Sequence, residues 1–439
     1  MTSLRFTLLF LAALCVSSLV RLWLSTRQVR HVIDHRDRVP DAFADRIPLH
    51  AHRRAADYTT ARQRLGLIDL MIGAAFVVGL TLLGGLQALH DGLTALLPDS
   101  PMIRQLLLVV AVALLGGLVD LPLAWYRQFV LEQRFGFNRM TWRLYVSDLA
   151  KGLAVGAVLG LPILAAILWL MQRAGAYWWL WAWAVWVAFN LFVLLLYPTV
   201  IAPLFNRFEP LPDGAVRERV GRLLARCGFA ARGLFVMDGS RRSAHGNAYF
   251  TGFGRSRRIV FFDTLLARLT PAEIEAVLAH ELGHFKHHHI AKRIALSFAT
   301  SLAGLAILGW LATQPWFYQG LGVDVVPGED PALALVLFFL AMPVFAFLFQ
   351  PVASLLSRRD EFEADRFAAE QADASSLIDA LVKLYEDNAA TLTPDPVHSA
   401  FYDSHPPAAI RVARLAGLRR PDPTLSPEAA PRPLPSPPA

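Results

Sequence analysis

Cysteine and lysine are nearly absent from this chain. Two cysteines, Cys15 and Cys227, exclude a disulfide framework and any cluster of thiolate metal ligands. Only four lysines occur, Lys151, Lys286, Lys292 and Lys383, against a large excess of arginine, the habit of a GC-rich and bacterial coding sequence. There is no internal repeat and no nucleic-acid-binding motif. The net charge of +7 and pI near 9.7 therefore call for another partner. Most arginines flank apolar runs, so membrane lipids with anionic headgroups fit better than nucleic acid. Apolar residues are what the chain has in quantity. They make up 55% of 439 positions, with a mean hydropathy of +0.42, too apolar for a soluble protein of this length.

Crossing a bilayer takes a run of about 20 apolar residues. Seven runs qualify: Leu4–Leu24, Leu67–Leu89, Ile103–Trp125, Leu153–Met171, Tyr177–Tyr197, Ile294–Thr313 and Ala332–Leu356. The last is long enough to tilt or to extend past the membrane. The first has no small-x-small cleavage site, and Ala13-Leu14-Cys15 lacks the small residue expected before a lipidated cysteine. It reads as a retained helix rather than a signal peptide. Nine arginines from Arg27 to Arg64 follow the first run, and Arg127, Arg134, Arg139 and Arg143 follow the third. The loop 314–331 has no Lys or Arg and carries Asp324, Glu329 and Asp330. Positive-inside counting places the N-terminus outside and the first, third and fifth loops in the cytoplasm, with the C-terminal segment.

The chain thus reads as a mainly α, polytopic membrane protein with a small β element. Residues 1–197 are a membrane region with five helices, 198–293 a mostly soluble insertion, 294–356 a membrane hairpin and 357–418 a charged helical part. The tail 419–439 holds eight prolines from Pro421 onward and reads as disordered. Within the insertion, the pattern predicts a helix over Ala215–Cys227 and strands at Gly233–Met237, Ala248–Gly252 and Arg258–Phe262. An edge strand beside a metal can pair with extended substrate backbone.

The most informative stretch is His280-Glu281-Leu282-Gly283-His284. On a helix, residues i and i+4 share a face, so the two imidazoles can grip one ion. Glu281 can then reach a water held by that ion. Zinc lowers the pKa of such a water to about 7, and the glutamate takes its proton. The flanks support a helix: Thr270 is a good N-cap, Pro271 suits the first turn and Glu273 completes a capping box. Ile274, Val277, Leu278 and Leu282 give it an apolar stripe.

A catalytic zinc site usually takes a third protein ligand. The segment from Ser357 to Asp365 offers Asp360, Glu361, Glu363 and Asp365 on the same side of the membrane, and spacing alone does not separate them. Glu361 and Asp365 share a helical face, which suits one ligand and one partner of a ligand histidine.

The chain resembles the type I CAAX prenyl proteases, integral-membrane zinc metalloproteases with seven membrane helices. The likeness lies in His280–His284, in Ser357-Arg358-Arg359 through Glu361-Phe362 and Ala364-Asp365, in Glu132–Asn138, in Ala202–Asn206, in Asn247–Phe250 and in Arg258–Thr264. It spans roughly residues 60–418. The resemblance implies one zinc ion held by His280, His284 and Glu361, with Glu281 as general base and Asp365 supporting a ligand histidine. Ser404-His405-Pro406, with Arg411 following, is similar to the family's His-Pro…Arg element. There the histidine donates to the developing oxyanion and the arginine supports the site. Asn247 matches a residue near the substrate carbonyl. The family's helices enclose a chamber capped by the zinc domain, and its substrates are prenylated proteins or peptides. By this reading the active site faces the cytoplasm, in the inner membrane if bacterial or the endoplasmic reticulum if eukaryotic.

Other features read more plainly. His287-His288-His289 points three ways on a helix and reads as a polar helix end near the headgroups. Asp120 and Asn190 lie within membrane runs and line internal water or pair locally. The tryptophans from Trp178 to Trp186 suit an interfacial belt. If the chain is bacterial and meets no prenylated substrates, the same chemistry serves general quality control of membrane proteins. Three other functions compete: an intramembrane protease of the site-2 type, a heat-shock-type membrane protease of the same broader zinc superfamily, and a non-catalytic scaffold with a vestigial site. Charged residues flanking the zinc helix argue against the first, seven spans against the second, and the complete set of catalytic positions against the third.

Overall fold

Among the described residues, seven helices of this computed structural model are long and apolar enough to cross a membrane. Residues 1–229, 233–251 and 258–418 are described. The expected tail 419–439, and Gly252 of the third expected element, lie outside them.

The chain opens with α1 (Ser3–Asp34) and α2 (Leu49–Leu80), both longer than their apolar runs. A short α3 (Gly85–Leu96) follows. Next come α4 (Pro101–Tyr126), which continues as a π-turn through Glu132, and α5 (Trp142–Arg173). Then α6 (Trp178–Leu196) continues through a second π-turn into α7 (Ala202–Phe205). The insertion holds β1 (Phe208–Pro210), α8 (Ala215–Arg226), β2 (Gly233–Met237), β3 (Ala248–Thr251), β4 (Arg258–Phe262), α9 (Asp263–Leu266) and α10 (Pro271–Lys286). Back in the apolar region are α11 (His289–Leu311), α12 (Pro315–Gly320) and α13 (Pro331–Ala346). The chain closes with α14 (Gln350–Gln371), α15 (Ala374–Asp387), α16 (Pro396–Tyr402) and α17 (Ala408–Gly417).

The seventh membrane helix is the central one. Its most apolar window is 56% buried, against at most 22% in the others, because α13 packs on α1, α4, α5 and α11. The other six turn most of their surface outward, as lipid-facing helices do. From α13 the helical path runs through one 3₁₀ turn into α14, so a single rod leads from the membrane core to the soluble part. A cavity of about 1590 Å³ opens between them. Asp69 and Asp120 line it from the membrane helices, and Asn247 and His405 from the soluble side. Asp120 thus faces the internal space. Asn190 instead donates to the Trp186 carbonyl one turn back, at 2.7 Å.

The sheet has the order β1-β2-β4-β3, with β2 and β4 parallel and the outer pairs antiparallel. The sequence pattern missed β1, because Pro210 sits at its end; on an edge strand the missing N–H costs nothing. The soluble part is fastened to the membrane part by Arg242. Its guanidinium grips both oxygens of Asp148 on α5, at 2.8 and 3.0 Å, and donates to Asn206 Oδ1 at 2.9 Å.

The expected capping box of α10 is formed: Thr270 N donates to Glu273 Oε2 at 2.7 Å, and Glu273 N to Thr270 Oγ1. Ile274, Leu278 and Leu282 are buried in a core shared with β4, α8, α14 and α15. At Gly283 the helix meets α14 backbone to backbone. A Cβ there would lie 2.8 Å from Ala364 Cα. Gly283→Ala is therefore expected to lower the melting temperature in detergent, with an overpacking cost of about 1–3 kcal/mol. Gly221→Ala on α8, with open space around it, should raise it slightly. Equal melting of Gly283→Ala and wild type would show that the two helices have room to part.

Candidate metal centre

The contact at Gly283 brings the histidines of α10 against the carboxylates of α14. His280 and His284 lie one turn apart with their Nε2 atoms 3.3 Å from each other. Glu361 faces both, with Oε2 3.4 Å from His280 Nε2 and Oε1 3.4 Å from His284 Nε2. The donor atoms of the three lie within 4.8 Å of one another. His280 and Glu361 are buried, and Glu361 Oε2 has no aligned hydrogen-bond donor although His405 Nδ1 comes within 2.7 Å. Each oxygen of this buried carboxylate faces one imidazole, and the Arg411 guanidinium comes no nearer to Oε2 than 3.8 Å, so a cation held between them would offset the cost of burial. Two nitrogens and one carboxylate fit a divalent transition-metal ion.

Each imidazole is oriented from behind. His280 Nδ1 donates to Asp365 Oδ1 at 2.9 Å, and Arg411 grips Asp365 through two bonds, at 2.9 and 2.6 Å. In the neutral ring this places the proton on Nδ1 and leaves the Nε2 lone pair free toward Glu361. Behind His284 stands His289. The two Nδ1 atoms are 3.0 Å apart, and His289 Nε2 lies 3.1 Å from Glu363 Oε2. With Glu363 accepting from His289 Nε2–H, His289 Nδ1 accepts from His284, which again frees an Nε2 lone pair.

His289 corrects the reading of the triple-histidine run as a polar end near the headgroups. It is fully buried. The cause is a break in the helix: α10 stops at Lys286, His288 takes a left-handed conformation (φ 58°), and α11 starts at His289. On one continuous helix, His284 and His289 would point apart. No glycine or proline marks the break, so the sequence hides it.

The four carboxylates left open by spacing are now separated. Glu361 and Asp365 face α10, Glu363 faces His289, and Asp360 pairs with Arg293 at 3.2 Å. Glu281 is half-buried beside His280 and makes no hydrogen bond or ion pair among the described residues. Asn247 stands apart from the cluster. It is exposed at the start of β3, and its Oδ1 accepts from Ala248 N at 2.8 Å. Asn247 and His405 look into the same cavity.

A bundle of seven membrane-crossing helices that ends in a buried His-His-Glu cluster is the architecture of an integral-membrane metallopeptidase. Comparison with known proteins narrows this. Residues 28–207 match the family described as CAAX prenyl protease N-terminal, five membrane helices, and residues 210–419 match peptidase family M48. A CAAX prenyl protease 1 homolog of Arabidopsis thaliana is 37% identical over 73% of this chain and 75% of that protein. The CAAX prenyl protease 1 of Saccharomyces cerevisiae is 36% identical over 69% of each. The crystal structure of S. mikatae Ste24p is similar over 93% of this chain and 99% of that chain, with a TM-score of 0.87 and 28% identity. The chain belongs to peptidase family M48, alongside the CAAX prenyl proteases. It is a multi-pass membrane metalloprotease.

Two outcomes follow from the geometry. Burial disfavours a charged His280, but hydrogen bonds to Asp365 and Glu361 outweigh it and push the imidazole up to about 9. A cation needs the neutral ring, so uptake at pH 7 expels that proton, and affinity rises with pH up to about 9. Calorimetry of ion uptake in buffers of different ionisation enthalpy should read close to one proton released; none would refute the shift. His289→Ala should weaken ion retention against a chelator by about 10–100-fold. Unchanged retention would mean that His284 needs no support from behind.

Proposed function

We propose that the protein is a zinc endopeptidase that cuts peptide bonds at the cytoplasmic face of its membrane, with CAAX-type C-terminal processing of prenylated proteins or peptides as its activity. The observation that carries this reading is the convergence of His280, His284 and Glu361, each imidazole held with its lone pair facing inward.

In this reading His280, His284 and Glu361 hold the ion. When bound, zinc supplies a Lewis acid that polarises the scissile carbonyl and acidifies water. Glu281, next to His280 and with no hydrogen bond or ion pair among the described residues, accepts the proton of the attacking water and passes it to the leaving amine. His405, beside Glu361 and open to the cavity, donates to the oxygen on which negative charge develops. Asp365 and Arg411 keep His280 in place. Asn247 opens β3, one of the two edge strands of the sheet, and hydrogen-bonds substrate backbone in the cavity.

The relatives' names support the substrate class: they are CAAX prenyl proteases. A lipid-modified substrate also explains why a hydrolase has its cavity walled by membrane helices. The arginine-rich loops after the first and third spans support a cytoplasmic face for the site.

The test uses purified protein in detergent and two matched peptides, one farnesylated on its CAAX cysteine and one bare, with cuts located by mass spectrometry. Cleavage of the farnesylated peptide alone is expected. Equal cleavage of both would replace CAAX processing with general membrane-associated proteolysis. Glu281→Gln should lower kcat by about 10²–10⁴-fold with the ion still bound. Full activity of that variant would overturn the catalytic assignment.

A further inference from the structure

The mechanism leaves unused a groove on α14 whose lining includes none of His280, His284 and Glu361. It is a cavity of about 700 Å³ between α14 and α17. Among the described residues four arginines line it, Arg358, Arg359, Arg366 and Arg414, with Glu363 as the one acidic residue on its wall. Glu363 is already engaged by His289 and Arg359. The arginines are short of partners. Among the described residues, Arg358 reaches only the Ala400 carbonyl at 3.5 Å, and Arg414 lies 3.9 Å over the Phe362 ring. Arg366 is exposed and has no hydrogen bond or ion pair among the described residues. Four guanidiniums held this close with so little compensating charge form a site for an anion.

What adjoins the groove says which anion. Phe349, in the 3₁₀ turn before α14, and Val352, Leu355 and Leu356 in its first turns are all at least half exposed where the helix comes up from the seventh span. At helical spacing the stripe Val352, Leu355, Arg359, Phe362, Arg366 runs from apolar to basic along one face. Leu355 itself lines the groove. A free phosphate would use the arginines and leave the apolar stripe bare. A phospholipid uses both, with its acyl chains along Val352 and Leu355 and its phosphate among the arginines.

We propose that this groove binds the headgroup of one anionic phospholipid. The inference rests on the seventh helix crossing the membrane and not on the proteolytic reading, so either can fail alone. The site also touches the catalytic loop. Pro406 and Pro407 form its far wall and directly follow His405. A lipid seated there packs against the backbone that carries His405.

The experiment is native mass spectrometry of the full-length protein, delipidated and titrated with phosphatidylglycerol or with phosphatidylcholine of the same chains. One phosphatidylglycerol per chain should be retained at least tenfold more strongly than phosphatidylcholine. R366Q/R414Q should abolish that preference, and R222Q on α8 should keep it. If the double variant elutes as an aggregate, R366E alone reads the same property. Equal retention of both lipids, or a preference that survives R366Q/R414Q, overturns the proposal. So does displacement of the lipid by equimolar glycerol 3-phosphate, which would mark a soluble-anion site. Displacement by a peptide with a free C-terminus but not by its amide overturns it too, since the groove would then be a substrate subsite.

Discussion

The backbones of α10 and α14 touch at Gly283 and Ala364, and the metal centre hangs from that contact. It sets the spacing at which His280 of α10 meets Glu361 and Asp365 of α14, with Arg411 of α17 behind them. His280, Glu361, Asp365 and Arg411 are each nearly inaccessible to solvent. Burying such groups singly would cost several kcal/mol each. Together they are tolerable because every charge meets an opposite one: Arg411 on Asp365, Asp365 on His280. That pairing exists only while the helices stay at their closest approach. The smallest residue in the motif thus matters as much as its ligands.

The support around each imidazole is similar in logic and different in origin. Behind His280 a carboxylate and a guanidinium come from α14 and α17, elements distant in sequence. Behind His284 the support begins with the next helix, turned back by the left-handed His288. Both end on α14, through Asp365 and Glu363. Since α14 continues the seventh membrane helix, the site is built on a rod whose other end is embedded among apolar helices. Arg242 on Asp148, and Arg27 on Asp395 at 2.9 Å, add clamps between the two parts.

Much of this was legible in the sequence, for identifiable reasons. Seven spans show because lipid-facing helices must be apolar along about 20 residues. The zinc helix shows because its cap, its stripe and its histidines share one period. The choice among Asp360, Glu361, Glu363 and Asp365 did not follow from spacing, since four acids on two turns cover most of a helix's circumference; family resemblance pointed to Glu361, and the structure turns that residue toward the histidines. His289 stayed hidden because its role depends on a break without a breaker residue. The short β1 stayed hidden behind its proline. The basic groove was unreadable for another reason: Arg358, Arg359 and Arg366 look like solvated helix charges until Arg414, from another helix, closes the fourth side.

The order in which the site's parts leave the ribosome has a consequence. His280 and His284 are made early, and Glu361, His405 and Arg411 come only after the hairpin of α11 and α13. A nascent chain carrying α10 alone has two histidines and no third donor. Only a chain with its last two spans inserted and the following helices released can close the cluster. Closure of the cluster is thus one of the last steps of synthesis, tied to insertion of the final two spans.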